Sequence, residues 1–233
     1  MAKAFDEYAE KYDAWFLENS NVLYSEVKLV ARCLRDAGRT FSVGCGSGLF
    51  ELILRREYNI SVDEGLEPSV AMAEIARKRG MKVAVTTAED HDFGSESYDT
   101  ILLNGTPSYI TDLGAVLRKC YNALRPGGRI VVIDVPKESS YGILYNLAKS
   151  VGTWDDILLK GCYPPNPYPI EFVNAANWRT TAEKVDLMHK AGFCDLEYAQ
   201  TLTHHPLYSN NFLEEPSDGY ERGDYVAVTG YKK

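Results

Sequence analysis

The sequence predicts a doubly wound α/β fold, and three observations carry that prediction. Short apolar runs alternate with helix-compatible runs from residue 38 to residue 136. One junction, Phe41-Ser42-Val43-Gly44-Cys45-Gly46-Ser47-Gly48, passes from a strand through alternate glycines directly into a helix. An acidic residue, Glu67, stands about twenty residues beyond those glycines, at the carboxyl end of the next strand.

Taken in order, residues 1–37 read as a helical cap. Phe5, Tyr8, Tyr12, Trp15 and Phe16 recur at helical spacing and give an aromatic stripe, and 23–34 reads as a second helix ending at Ala37-Gly38, where glycine supplies a C-cap. Residues 38–136 form the βα core. After the first strand the glycine turn leaves backbone N–H groups bare, so a bound molecule can lie against them. A helix over 49–57 follows, then a strand over 60–66, a helix over 71–78 and a strand over 82–86. The fourth strand, 98–103, ends at Asn104-Gly105; a helix over 113–124 and the tight turn Arg125-Pro126-Gly127-Gly128 lead to the fifth strand, 129–135. Residues 137–178 leave the regular repetition. They hold Tyr141, Tyr145, Trp154, Tyr163, Tyr168, Phe172 and Trp178, and they depart from the ligand edge of the sheet, so they read as a roof over a substrate. Residues 179–233 supply a helix over 181–190, a strand over 193–202, a polar and aromatic loop over 204–224, and a last strand, Tyr225–Tyr231.

Composition narrows the partners. The chain has 233 residues, 45% of them hydrophobic and 25% charged, which fits one globular domain. A formal net charge of −8 disfavours a nucleic-acid or anionic-membrane partner. The five cysteines form no C-x-x-C pair, so neither a zinc site nor a disulfide framework is expected, and no clustered Asp, Glu and His suggests another metal. No signal peptide and no apolar run of membrane-spanning length is legible, and the expected location is the cytoplasm. The sequence leaves the oligomeric state open.

Four motifs in order, V-G-C-G-S-G at 43–48, G-L-E-P-S at 65–69, T-A-E-D at 87–90 and L-R-P-G-G at 124–128, give the chain a family likeness. It resembles the class I S-adenosylmethionine-dependent methyltransferases, in particular the small-molecule branch that includes the ubiquinone/menaquinone biosynthesis type. The resemblance implies a Rossmann-like, seven-stranded sheet, mostly parallel, with a C-terminal antiparallel strand pair and helices on both faces. It implies S-adenosyl-L-methionine as cofactor, S-adenosyl-L-homocysteine as product, and a small, partly apolar methyl acceptor.

Carried over by residue, Gly44, Gly46 and Gly48 would face the methionine and ribose parts of the cofactor, with Cys45 and Pro68 beside them. Glu67 would hold the ribose, Ala88 and Glu89 would border the adenine, and Asn104 and Gly105 would lie beneath the sulfonium. Tyr12 is the expected contact from the cap. Ser42 departs from the acidic residue usual in the first motif, and Thr87 from the aspartate usual in the third. For the acceptor, Tyr141, Tyr145, Tyr163 and Tyr168 are the candidate contacts. A general base is needed only where the acceptor must lose a proton; His204 and His205 are the candidates, with His189, Asp134 and Glu138 behind them. Two other readings stay open: a different group transfer from a sulfonium cofactor, and a non-catalytic module that binds S-adenosylmethionine.

Overall fold

A computed structural model describes residues 2–233. The cap consists of α1 (Ala2–Glu7), α2 (Ala9–Glu18) and α3 (Ser20–Cys33). The core follows as β1 (Thr40–Val43), α4 (Leu49–Tyr58), β2 (Glu64–Leu66), α5 (Val70–Lys78), β3 (Lys82–Ala84), β4 (Tyr98–Asn104), α6 (Leu113–Ala123) and β5 (Leu124–Asp134). Then come α7 (Ser140–Val151), α8 (Ile170–Ala175), α9 (Thr181–Ala191), β6 (Cys194–Thr201), β7 (Ser217–Asp218) and β8 (Tyr225–Tyr231). All strands join one sheet in the order β3-β2-β1-β4-β5-β8-β6-β7. The strands β1 to β5 run parallel, and β8, β6 and β7 add antiparallel neighbours.

The sheet has eight strands, one more than expected. The extra one is β7, which pairs Ser217 and Asp218 with Gln200 and Ala199 at the far edge. Two polar residues flanked by Pro216 and Gly219 carry no alternating pattern, and such short, charged edges are how sheets avoid pairing with other chains. The insertion is also more regular than its composition suggests, since it holds α7 and α8. Ser139 caps α7 by accepting the Gly142 N–H. The turn at 125–128 lies within β5, as an irregularity between the Tyr98 and Thr100 pairings.

Alternation along the central strands explains why helices cover both faces. Ile101, Leu103, Ile130 and Val132 turn toward Val116, Leu117 and Cys120 of α6 and Met188 of α9. Leu102, Val131 and Ile133 turn the other way, toward α3, α4 and the insertion. Every one of these strand residues is fully buried, as expected of strands covered on both sides. The cap and the insertion meet above the carboxyl ends of the strands. Phe5 stacks on Phe172 with centroids 4.7 Å apart, and Trp15 meets Tyr168 edge-on at 5.0 Å. These ring contacts place a roof over the edge where doubly wound sheets bind ligands.

Candidate active site

The glycine turn divides its labour. Gly44, Gly46 and Gly48 all have left-handed φ, at 69°, 55° and 71°. A Cβ on Gly44 would sit 2.6 Å from Thr106 Cγ2, and one on Gly48 would sit 2.9 Å from Met81 Sδ. Those two glycines are demanded by internal packing. A Cβ on Gly46 would meet nothing closer than Met72 Cε at 3.5 Å and would project into the ligand edge. Gly48, expected to face a ligand, instead packs against α5. Cys45 is turned the same way: its N–H donates to the Leu66 carbonyl at 2.9 Å, and its thiol is buried among Ala73, Ala76, Met81 and Val83.

Glu67 clamps this turn to the end of β2. Its Oε2 accepts the Gly46 N–H at 3.0 Å and its Oε1 accepts the Ser69 N–H at 2.8 Å. Burial outweighs these two donors and pushes the carboxyl up to about 7. The Ser42 hydroxyl donates to Glu51 Oε1 at 2.7 Å, so a buried carboxyl from α4 stands against β1.

Three adjoining cavities run along the ligand edge. The first, about 320 Å³, is lined by Leu66, Pro68, Thr87, Ala88, Glu89 and Ile110. The second, about 70 Å³, lies over Gly44, Gly46 and Glu67 and is covered by Phe5, Tyr12 and Met72. The third, about 60 Å³, is walled mostly by rings, among them Trp15, Phe50, Tyr145, Trp178 and Tyr225. Gly44, Pro68, Thr106 and Tyr109 line both the first and the second. Tyr12, Asn104, Gly105, Tyr109 and Tyr168 line both the second and the third. Asn104 is fixed by the Tyr225 hydroxyl, which donates to its Oδ1 at 2.9 Å. A larger groove, about 480 Å³, lies on the far edge of the sheet beside Arg32, Arg129 and Glu197, and none of the motif residues line it.

Several expected residues are held elsewhere. His204 Nδ1 lies 2.9 Å from Glu214 Oε1 and its ring stacks on Phe212. His205 Nδ1 accepts the Leu207 N–H at 3.2 Å, and neither histidine lines these three cavities. Their loop folds back on α3 instead, where Ser25 Oγ accepts the Glu214 N–H. The Tyr141 hydroxyl pairs with Ser209 Oγ at 2.7 Å, and Tyr163 packs on Trp154, both away from the cavities. Glu138 accepts the Thr181 N–H and His189 lies against the Phe193 carbonyl, so both serve the start and end of α9.

Other lining residues were not expected contacts: Phe5 was read only as part of the aromatic stripe, and Met72, Thr106, Tyr109 and Glu26 were not singled out for the site. Glu26 had a legible signal: it is an acid set between Val22, Leu23, Val27 and Val30 on the buried face of α3. Burial holds its carboxyl well above the ordinary range. Asp134, also in the third cavity, is pushed up to about 6 by burial, partly offset by the Lys184 ammonium. Among the described residues no group of His, Cys, Asp and Glu is arranged to hold a metal, and no helix is long and apolar enough to cross a membrane.

Residues 41–132 match the family described as Methyltransferase domain. Over the full length of both chains, the structure has a TM-score of 0.84 and 33% identity to a crystal structure from Thermotoga maritima, that of an S-adenosylmethionine-dependent methyltransferase and possible histamine N-methyltransferase. An uncharacterized protein of Methanocaldococcus jannaschii is 28% identical, with 98% of each chain covered. The ubiquinone/menaquinone biosynthesis C-methyltransferase of Desulfotalea psychrophila is 24% identical, covering 85% of this chain and 84% of its own.

Proposed function

This chain belongs to the S-adenosylmethionine-dependent methyltransferases, and from that premise we propose that it carries the methyl group to a small, partly apolar acceptor by in-line displacement. The residues present fit the family's cofactor. In this reading the adenine lies beside Ala88 and Glu89, the ribose hydroxyls donate to Glu67, and the methionine part crosses Gly44 and Gly46. Two features support that fit: the space above Gly46 that a side chain would occupy, and a buried carboxyl at the floor of the same cavity.

The cofactor supplies a methyl group on a sulfur that is already a good leaving group. The protein's task is therefore alignment and exclusion of water, with no covalent nucleophile required. Tyr12 and Phe5 from the cap, and Tyr168 from the insertion, close over the meeting point. The observation that carries the reading is the continuity of the cavities. Tyr12, Asn104, Gly105, Tyr109 and Tyr168 each face both the glycine cradle and the ring-walled cavity, so an acceptor in one lies against the cofactor's reactive end in the other.

The test is isothermal titration with S-adenosylmethionine and S-adenosylhomocysteine, followed by product analysis across a panel of small acceptors. The expected result is micromolar binding of both and acceptor-dependent release of S-adenosylhomocysteine. Binding without turnover of any acceptor would favour a non-catalytic module. Consumption of the cofactor to a product other than S-adenosylhomocysteine would favour a different group transfer.

A further inference from the structure

The ring-walled cavity contains two carboxyl groups and no lysine or arginine. Glu26 is 6% exposed, and its side chain lines this cavity. The hydroxyls of Tyr12, Tyr141, Tyr145, Tyr168 and Tyr225 all feel its charge. Across the cavity stands Asp134, 1% exposed. Its Oδ1 accepts the Val135 N–H at 2.9 Å and faces Ser108 Oγ at 3.4 Å, while its Oδ2 has no partner. The nearest counter-charge is Lys184 on α9, itself fully buried, with its Nζ unpartnered and outside the cavity lining.

A carboxyl removed from water without a donor is strongly unfavourable, whether ionised or protonated, unless something else occupies the place of that donor. The surrounding rings restrict what that can be. Their faces are electron-rich and attract a cation, and a carboxylate beside them adds the full opposite charge. An anionic acceptor offers neither carboxyl a counter-charge, and a neutral one would leave at least one of them unmatched.

Building on the methyltransferase reading, we propose that this cavity takes a small amine as its ammonium form, with Glu26 as its counter-charge and Asp134 as the group that receives its proton. Asp134 sits at the end of β5, one residue beyond Ile133, which pairs with Asn104 on β4. That puts it beside the wall shared with the glycine cradle. The ammonium gives one proton to the Asp134 carboxylate, and the freed nitrogen lone pair attacks the cofactor's methyl carbon. The carbon–sulfur bond breaks with its electron pair going to sulfur. The products are the N-methylammonium and the thioether.

The experiment titrates matched probes into the protein saturated with S-adenosylhomocysteine. The probes are primary amines from methylamine to 2-phenylethylamine, the corresponding alcohols, and 3-phenylpropionate as the anionic control. The best amine should bind at least about tenfold more tightly than its alcohol, and the carboxylate should not bind. Glu26→Gln should abolish the preference for the amine while S-adenosylhomocysteine affinity stays within about twofold. Asp134→Asn should still bind the amine but methylate it roughly a hundredfold more slowly. An S-adenosylhomocysteine complex that takes no amine, or takes amine and alcohol equally, overturns the proposal while leaving the methyltransferase reading intact. A protein that fails to bind S-adenosylhomocysteine removes the methyltransferase reading itself. Should Glu26→Gln fail to fold, the amine-to-alcohol comparison on the unaltered protein decides alone.

Discussion

At the scale of single residues, the ribose role proposed for Glu67 would couple local structure to ligand affinity. Its carboxyl holds Gly46 and Ser69 by their N–H groups, yet burial pushes it up to about 7. Ribose hydroxyls donate, so in the proposed reading cofactor binding draws on the carboxylate form of Glu67. At pH 6 only about a tenth of a carboxyl titrating near 7 is ionised, so S-adenosylhomocysteine affinity should rise roughly tenfold from pH 6 to pH 8. In Glu67→Gln that slope should vanish and the affinity at pH 8 should fall by about 1.5–3 kcal/mol. Calorimetry across the pH range checks both, and an unchanged slope in the variant would remove Glu67 from the ribose site. Glu67 was legible as a candidate from its place at a strand end, and Ala88, Glu89 and Asn104 from the motifs that carry the family resemblance. His204 and His205 misled because sequence order says nothing about which way a long loop folds, and this one folds onto α3. Glu26 stands out in the sequence as an acid among apolar neighbours, but helical spacing does not say which cavity that face meets.

Among the elements, the cap is tied to the cofactor cradle by two carboxylates. Asp6 of α1 accepts from Ser69 Oγ at 2.6 Å and from the Ala71 N–H at the start of α5. Asp13 of α2 accepts from the Ser47 hydroxyl of the glycine turn and from Arg79 Nη2 at 2.6 Å. The Asp13 and Arg79 side chains are only 14% and 22% exposed, so this pair escapes most of the screening that weakens surface bridges. Asp13→Ala should therefore loosen α2 over the second cavity and speed S-adenosylhomocysteine dissociation by roughly tenfold, the equivalent of about 1.4 kcal/mol. Stopped-flow displacement measures this directly, and an unchanged off-rate would show that the cap closes by its ring contacts alone. Hydrophobic alternation revealed the strands of the core and the helices between them. It could not reveal β7, which has no apolar residue, or the exact extent of helix in an insertion whose prolines and tyrosines read as turns. The aromatic stripe over 5–16, read as one helix, is broken at Tyr8 between α1 and α2, and its destination was not legible, since its partners Tyr168 and Phe172 lie far away in sequence.

Over the whole molecule, the buried carboxyls make the unliganded protein sensitive to alkali within an ordinary range of pH. Glu26, Glu51, Glu67, Asp134 and Asp224 are all raised, in each case chiefly by burial. A carboxyl raised in the folded state binds its proton more tightly there than in the unfolded chain. Stability is therefore complete below the unfolded value near 4 and is lost as pH rises through the folded value, about 6 for Asp134 and Asp224 and about 7 for Glu67. For Glu67 the rise from 4.5 to about 7 corresponds to about 3 kcal/mol. Carboxyls with lowered values, Asp99, Glu183 and Glu214, lose their contribution only in stronger acid. His91, held below its ordinary value, opposes the trend as a single, partly exposed group. The growing negative charge of a chain already at −8 adds to the trend. The melting temperature of the unliganded protein should accordingly fall between pH 5 and pH 8, by on the order of 5–10 °C. Saturating S-adenosylhomocysteine should recover more of the loss at pH 8 than at pH 6, because donors to Glu67 favour the ionised form that burial penalises. Thermal melts followed by circular dichroism would test both, and a melting temperature that is flat or rising over that interval would mean that water reaches these carboxyls in solution.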